Sequence, residues 1–131
     1  MGTANDYQEW TKTTAIYRDT VKLEVQCPEC EHHFFDERTT RLLRKVYVLL
    51  GLGGELGEIF EKVKKHIRGG KDPDELFRDP ALGKEFGDLQ YYLPRAEDEF
   101  GFRAEEVMNE NREKLESRKA RGVLHGDGDN R

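Results

Sequence analysis

Between Glu37 and Ile67 apolar residues recur at helical spacing without a break. Leu42, Val46, Leu49, Gly53, Leu56, Phe60, Val63 and Ile67 follow one another at intervals of four and three. A seam this long predicts one helix of about eight turns. Such a helix needs partners along its whole length, which confines the chain to an assembly of packed helices. Glycines at 51, 53, 54 and 57 interrupt its middle. Each costs about 1 kcal/mol relative to alanine inside a helix, so their concentration implies a bend or close approach by another backbone or a ligand.

Three further helical segments flank this one. Tyr7, Trp10, Thr14 and Tyr17 share a face, predicting a helix from Asn5 to Asp19 with Asn5 as N-cap. Leu82, Phe86, Leu89, Leu93 and Ala96 form the seam of a third, from about Pro80 to Phe100. Pro94 lies inside that segment and should kink or shorten it. The fourth runs from Ala104 to about Arg121, with Ala104, Met108, Asn111 and Leu115 as its inward stripe. The segment RGGKDPDELFRDPA reads as the connection between the second and third helices. The expected architecture is a single all-α domain over residues 1–131, an antiparallel four-helix bundle. A loop insert occupies about 20–36, and a polar, Gly-rich flexible tail about 122–131.

With 37% charged and 35% hydrophobic residues in 131, the core of one chain must be thin. Thin cores of amphipathic helices are completed by pairing with further copies, so a homo-oligomer, dimer or tetramer, is expected. The net charge of −5 argues against a duplex nucleic-acid binder. No apolar run approaches membrane-spanning length and the N-terminus lacks a secretory signal, so no membrane partner and a cytoplasmic location are expected.

The chemistry concentrates in two acidic pairs, Glu55-x-x-Glu58 and Glu85-x-x-Asp88. Three residues of helix return a side chain to within about 60° of its starting direction and about 4.5 Å along the axis. Each pair can therefore aim both carboxylates at one place. At 100° per residue, Glu55 and Glu58 flank the apolar face of Leu52, Leu56, Ile59 and Val63, and Glu85 and Asp88 border the seam of the third helix. In a chain this charged the bland alternative is a set of solvated surface carboxylates. Flanking positions instead suit a pocket between helices. Converging carboxylates repel and need cations; hard divalent ions such as Mg²⁺ meet that need and bring phosphates with them. On the fourth helix, Asn111 in a core position serves either to fix helix register or to contact a metal-bound phosphate, with Lys114 and Arg118 on the adjacent face.

Taken together, Glu55-x-x-Glu58, Glu85-x-x-Asp88 and Asn111-x-x-Lys114-Leu115-x-x-Arg118 resemble the MazG-like all-α nucleoside triphosphate pyrophosphohydrolases. The resemblance covers roughly residues 45–122, through GLGGELGE, KEFGDLQYYL and NENREKLESRKARG, and the ending GDGDNR resembles short phage-type members. It implies cleavage between the α- and β-phosphates of a (deoxy)nucleoside triphosphate, giving a monophosphate and pyrophosphate. It implies Glu55, Glu58, Glu85 and Asp88 as ligands of two or more Mg²⁺ or Mn²⁺ ions, and Asn111 and Lys114 as phosphate contacts. Glu58, with Glu55 beside it, is then the first candidate to orient or deprotonate the attacking water. Some short phage-type relatives act on guanine nucleotides, which favours dGTP or GTP. A phosphoribosyl-ATP pyrophosphatase from the same superfamily is the second enzyme reading, and a non-catalytic nucleotide-binding bundle is the rival from another class. The chain departs from the pattern at Pro94, at Arg103 where a capping Ser or Thr is common, and in its cysteine-bearing insert.

That insert, QCPECEHHFF, places Cys27, Cys30, His32 and His33 within seven residues. Cys-x-x-Cys is half of a zinc site, with His66, His125 or a second subunit to complete it; reduced thiols and a redox pair are the alternatives. Trp10 suits either a helix seam or stacking on a nucleobase. Lys62 and Lys65 lie one to two turns beyond the first acidic pair, within reach of phosphates, and Asp129 and Arg131 sit in a tail able to close over a substrate.

Overall fold

The computed structural model describes residues 2–124 and is mostly helical. Helix α1 spans Ala4–Lys12 and α2 spans Tyr17–Thr20. A hairpin of β1 (Glu24–Gln26) and β2 (His33–Phe35) follows. Then come α3 (Glu37–Arg68), α4 (Pro73–Phe77), α5 (Pro80–Phe100) and α6 (Ala104–Ala120). Arg131 and His125 lie outside the described residues, as does the tail from 125 onward.

Local chemistry accounts for the boundaries. Asp36 caps α3 by accepting from the amides of Arg38 and Thr39, and Asp79 caps α5 by accepting from Ala81. Pro73 and Pro80 each open their helix, where a missing N–H costs nothing. Gly101, at φ 84°, ends α5 in the left-handed conformation that glycine tolerates best. The first predicted helix is broken. Thr3, not Asn5, is its N-cap, in a capping box with Asp6, and the chain leaves the helix at Thr13 before α2 begins. The insert is a short antiparallel hairpin with Val25 opposite Phe34. It is tied to α3 where Leu23 N–H donates to Thr40 Oγ1 at 3.1 Å.

The most extensive packing is between α3 and α5, which run antiparallel. Lys45 Nζ lies 5.0 Å from the Phe100 ring, Tyr92 rests on Gly51, and Lys62 reaches Glu85, so rising numbers on α3 meet falling numbers on α5. The face of α3 turned inward is not the predicted seam. Buried or half-buried positions along this face are Val48, Gly51, Leu52, Glu55, Ile59, Lys62 and His66; of the predicted seam Val63 is half-buried, whereas Leu42, Val46, Leu49, Leu56, Phe60 and Ile67 are exposed. Both stripes have helical period, and periodicity alone does not say which one a neighbour within the chain will cover. The core is correspondingly small, Ala15, Tyr17, Val48 and Ala96 with Val21 packed against them.

Helices α1 and α6 pack against α5 and each other through polar contacts. Gln8, fully buried, donates to the carbonyls of Pro94 and Phe102 and accepts from the Ala104 amide at 3.1 Å. Asn5 Oδ1 accepts from the Glu105 amide. These two side chains of α1 therefore cap α6, whose own N-cap residue, Arg103, makes no side-chain cap. Arg95, also fully buried, donates to Thr11 Oγ1 and the Gln8 carbonyl and pairs with Asp98 at 3.2 Å. Pro94 does not shorten α5, which continues to Phe100; the proline is buried, and Gln8 holds its carbonyl.

Candidate metal centre

One turn of α3 and one turn of α5 face each other across the helical hairpin. Glu55 from α3 and Glu85 and Asp88 from α5 each offer a carboxylate oxygen, and these oxygens all lie within 4.8 Å of one another. Among the described residues this is the only set of three or more such groups brought together. Glu55 and Glu85 are half-buried and Asp88 is exposed. Glu55 is inside the packing stripe instead of at its flank, so desolvation first, then the charges of Asp88, Glu58 and Glu85, push its carboxyl above the ordinary carboxylate range. Glu58 does not join the set. It is exposed on the next turn of α3 and contributes through its field.

Two neighbours shape the site. Lys62 Nζ lies 3.3 Å from Glu85 Oε1 and supplies an internal counter-charge. Tyr92, one turn beyond Asp88, packs against α3 at Gly51, where an added Cβ would collide with its ring. Its hydroxyl is pushed up to about 12 by burial, then by the neighbouring Tyr47 and Glu55. Gly51 is thus approached by a side chain of α5, not by the backbone or ligand expected of the glycine cluster. Beside Gly53, Gly54 and Gly57 an added Cβ would meet nothing within 4 Å, so no backbone of this chain approaches them among the described residues. Tyr92 and Gly51 were not singled out as site residues from the sequence. The usable signal was spacing, with Tyr92 at i+4 from Asp88 and Gly51 at i−4 from Glu55.

The other predicted residues lie apart. Asn111 is exposed, correcting its assignment to an inward stripe; so are Met108 and Leu115, because the buried positions of α6 are Ala104 at its start and Arg118 near its end. Asn111 and Lys114 line a cavity of about 450 Å³ with Val107 and Glu110, and none of the acidic set lines it. Arg118 is buried. Lys65 is exposed, 3.5 Å from Glu61, and shares a basic cavity of about 220 Å³ with Lys62, His66 and Lys71. Trp10 is exposed rather than core, its ring 5.5 Å from that of Tyr7. Cys27 and Cys30 sit at the hairpin tip with free thiols; His32 and His33 do not close on them, and the His33 ring is 3.2 Å from Glu24. No described helix is long and apolar enough to cross a membrane.

Over 89 aligned residues the sequence is 43% identical to the Gene 37 protein of Mycobacterium phage L5, covering 65% of this chain and 75% of the phage protein. The chain belongs to the Gene 37 protein family. No protein-family model matches the sequence, and no solved structure matches it. The chemistry of this Gene 37 family member therefore has to be argued from its own site. Three carboxylate oxygens are drawn together, one of them partly desolvated; they are all oxygen, anionic and balanced nearby by Lys62, a set that could hold a hard dication.

Proposed function

We propose that the protein is a Mg²⁺- or Mn²⁺-dependent pyrophosphohydrolase that converts a (deoxy)nucleoside triphosphate to its monophosphate and pyrophosphate. The observation that carries this reading is the convergence of Glu55, Glu85 and Asp88 from two antiparallel helices. Like charges this close repel, which a cation between them or a proton on one relieves, and Glu55 already leans toward the proton. In this reading Glu55, Glu85 and Asp88 hold the ion, which when bound supplies charge neutralisation for the triphosphate and acidifies coordinated water. Glu58, outside the set and exposed, is left to orient or deprotonate the attacking water. Lys62 is placed to turn from Glu85 toward a phosphate oxygen once a dication takes over its role.

Asn111 and Lys114 reach the triphosphate only if α6 of a second copy closes on the acidic face. The exposed apolar stripe of α3 supports such an assembly. Leu42, Leu50, Phe60 and Ile67 are each more than half exposed in the single chain. A bundle of four long helices completed by homo-oligomerisation would bury them.

The deciding experiment is pyrophosphate release from the eight common triphosphates, in Mg²⁺ and in EDTA, with product identification. Turnover in Mg²⁺ alone, strongest with dGTP or GTP, is the expected result. Glu58→Gln should lose turnover by about 100-fold or more while still binding Mn²⁺. Binding without release in every case would leave a nucleotide-binding module, and release from phosphoribosyl-ATP alone would favour the histidine-pathway type.

A further inference from the structure

The tip of the β1–β2 hairpin lies apart from the acidic set, and the proposed hydrolysis makes no use of it. Cys27 and Cys30 are joined there by a tight turn: Glu31 N–H donates to the Cys27 carbonyl at 2.9 Å, and Cys27 N–H donates to the His32 carbonyl at 2.9 Å. Glu31 closes the turn with φ at 60°, a left-handed conformation that a non-glycine residue adopts at some cost.

Such a turn offers two of the four ligands that a tetrahedral zinc site requires. The remaining two do not come from the described part of the same chain, where no third Cys, His, Asp or Glu is brought to the pair. His33 is paired with Glu24. We propose that Cys27 and Cys30 of two copies of this chain bind one Zn²⁺ between them, joining two hairpin tips through a four-thiolate site on a two-fold axis.

Three observations carry the proposal. The tip is at the surface, with Cys30 exposed and Cys27 half-exposed, so a second tip meets no obstruction. An isologous joint supplies two identical pairs of sulfurs and needs no other ligand. Phe34 and Phe35, on β2 beside the turn, are each more than half exposed, one on either face of the hairpin, so whichever face a second tip meets offers it an apolar ring. Charge makes the joint conditional on metal: Glu29 and Glu31 flank the cysteines, so two tips repel until a dication lies between them.

The test is a titration of the reduced full-length protein with Co²⁺, followed by displacement with Zn²⁺. Saturation at one ion per two chains is expected, with the visible bands of a tetrahedral site and the ultraviolet charge transfer of four thiolates. Light scattering should show the assembly growing with metal and returning to its starting mass on chelation. Cys30→Ser should lose both responses and keep its helical circular dichroism. Saturation at one ion per chain, absence of the bands, or binding without any change in mass would each overturn the proposal. Pyrophosphate release measured on the same Cys30→Ser sample is expected to be unchanged, which separates this joint from the hydrolytic reading.

Discussion

At the scale of single residues the informative group is Glu55. Its carboxyl is held above the ordinary range by desolvation and by three neighbouring carboxylates, so the folded protein retains a proton there that the unfolded chain gives up. Between the unfolded and folded values the folded state binds more protons, and the contribution of this group to stability falls as pH rises through that window. In metal-free protein at neutral pH, Glu55→Gln is therefore expected to be more stable than the parent, by an amount that solvent screening keeps small. The difference should fade toward about pH 4, where the carboxylates approach neutrality in both states. Mg²⁺ should reverse the order, since only the parent keeps all three ligands and gains stability by binding. Thermal unfolding of both proteins from acid to neutral pH, in EDTA and in Mg²⁺, checks each part.

Among the elements, α6 depends on α1. Its first amides are satisfied by Gln8 and Asn5, and Gln8 also holds the carbonyls on either side of the α5–α6 corner. Gln8→Ala leaves a buried amide and carbonyls without this partner and should cost about 2–4 kcal/mol in urea unfolding. Gln8→Glu restores the acceptor toward Ala104 but loses both donated bonds, so it should recover only part of that loss. Arg103 was legible as a poor cap; the remedy was not, because the Ala104 amide is satisfied by Gln8, 96 positions before it. Likewise the sequence shows that Pro94 removes a helical hydrogen bond, but not that α5 continues through it to Phe100 with the proline buried and its own carbonyl held by Gln8.

For the molecule as a whole, two apolar stripes on α3 and one main neighbour within the chain are the governing facts. The covered stripe builds the hairpin with α5 and carries Glu55; the other is left exposed. If it is the contact between copies, a charge on it should split the assembly without unfolding the chain. Phe60, more than half exposed beside a shallow cavity shared with Val63 and Ile67, is the position to change. Phe60→Glu is expected to lower the mass found by light scattering to that of a smaller species, with helical content largely retained in circular dichroism. A wholly exposed Phe60 would give no such change.

Helical class, the ends of the two long helices and the existence of an acidic site were all legible in the residues. They follow from local rules: the period of apolar side chains, the Gly- and Pro-bearing connection RGGKDPDELFRDPA, and carboxylates three residues apart; the Asp caps at 36 and 79 and the stop at Gly101 came to light with the structure. Only the tertiary structure decided which face of α3 meets α5. That choice placed Glu55 within the packing stripe, put Glu58 outside the set, and left Asn111 and Lys114 on a separate surface. The reason is physical. A helical pattern fixes the angles between side chains on one rod, whereas the rotation of that rod against its neighbour is set by contacts such as Tyr92 on Gly51, which no single segment contains.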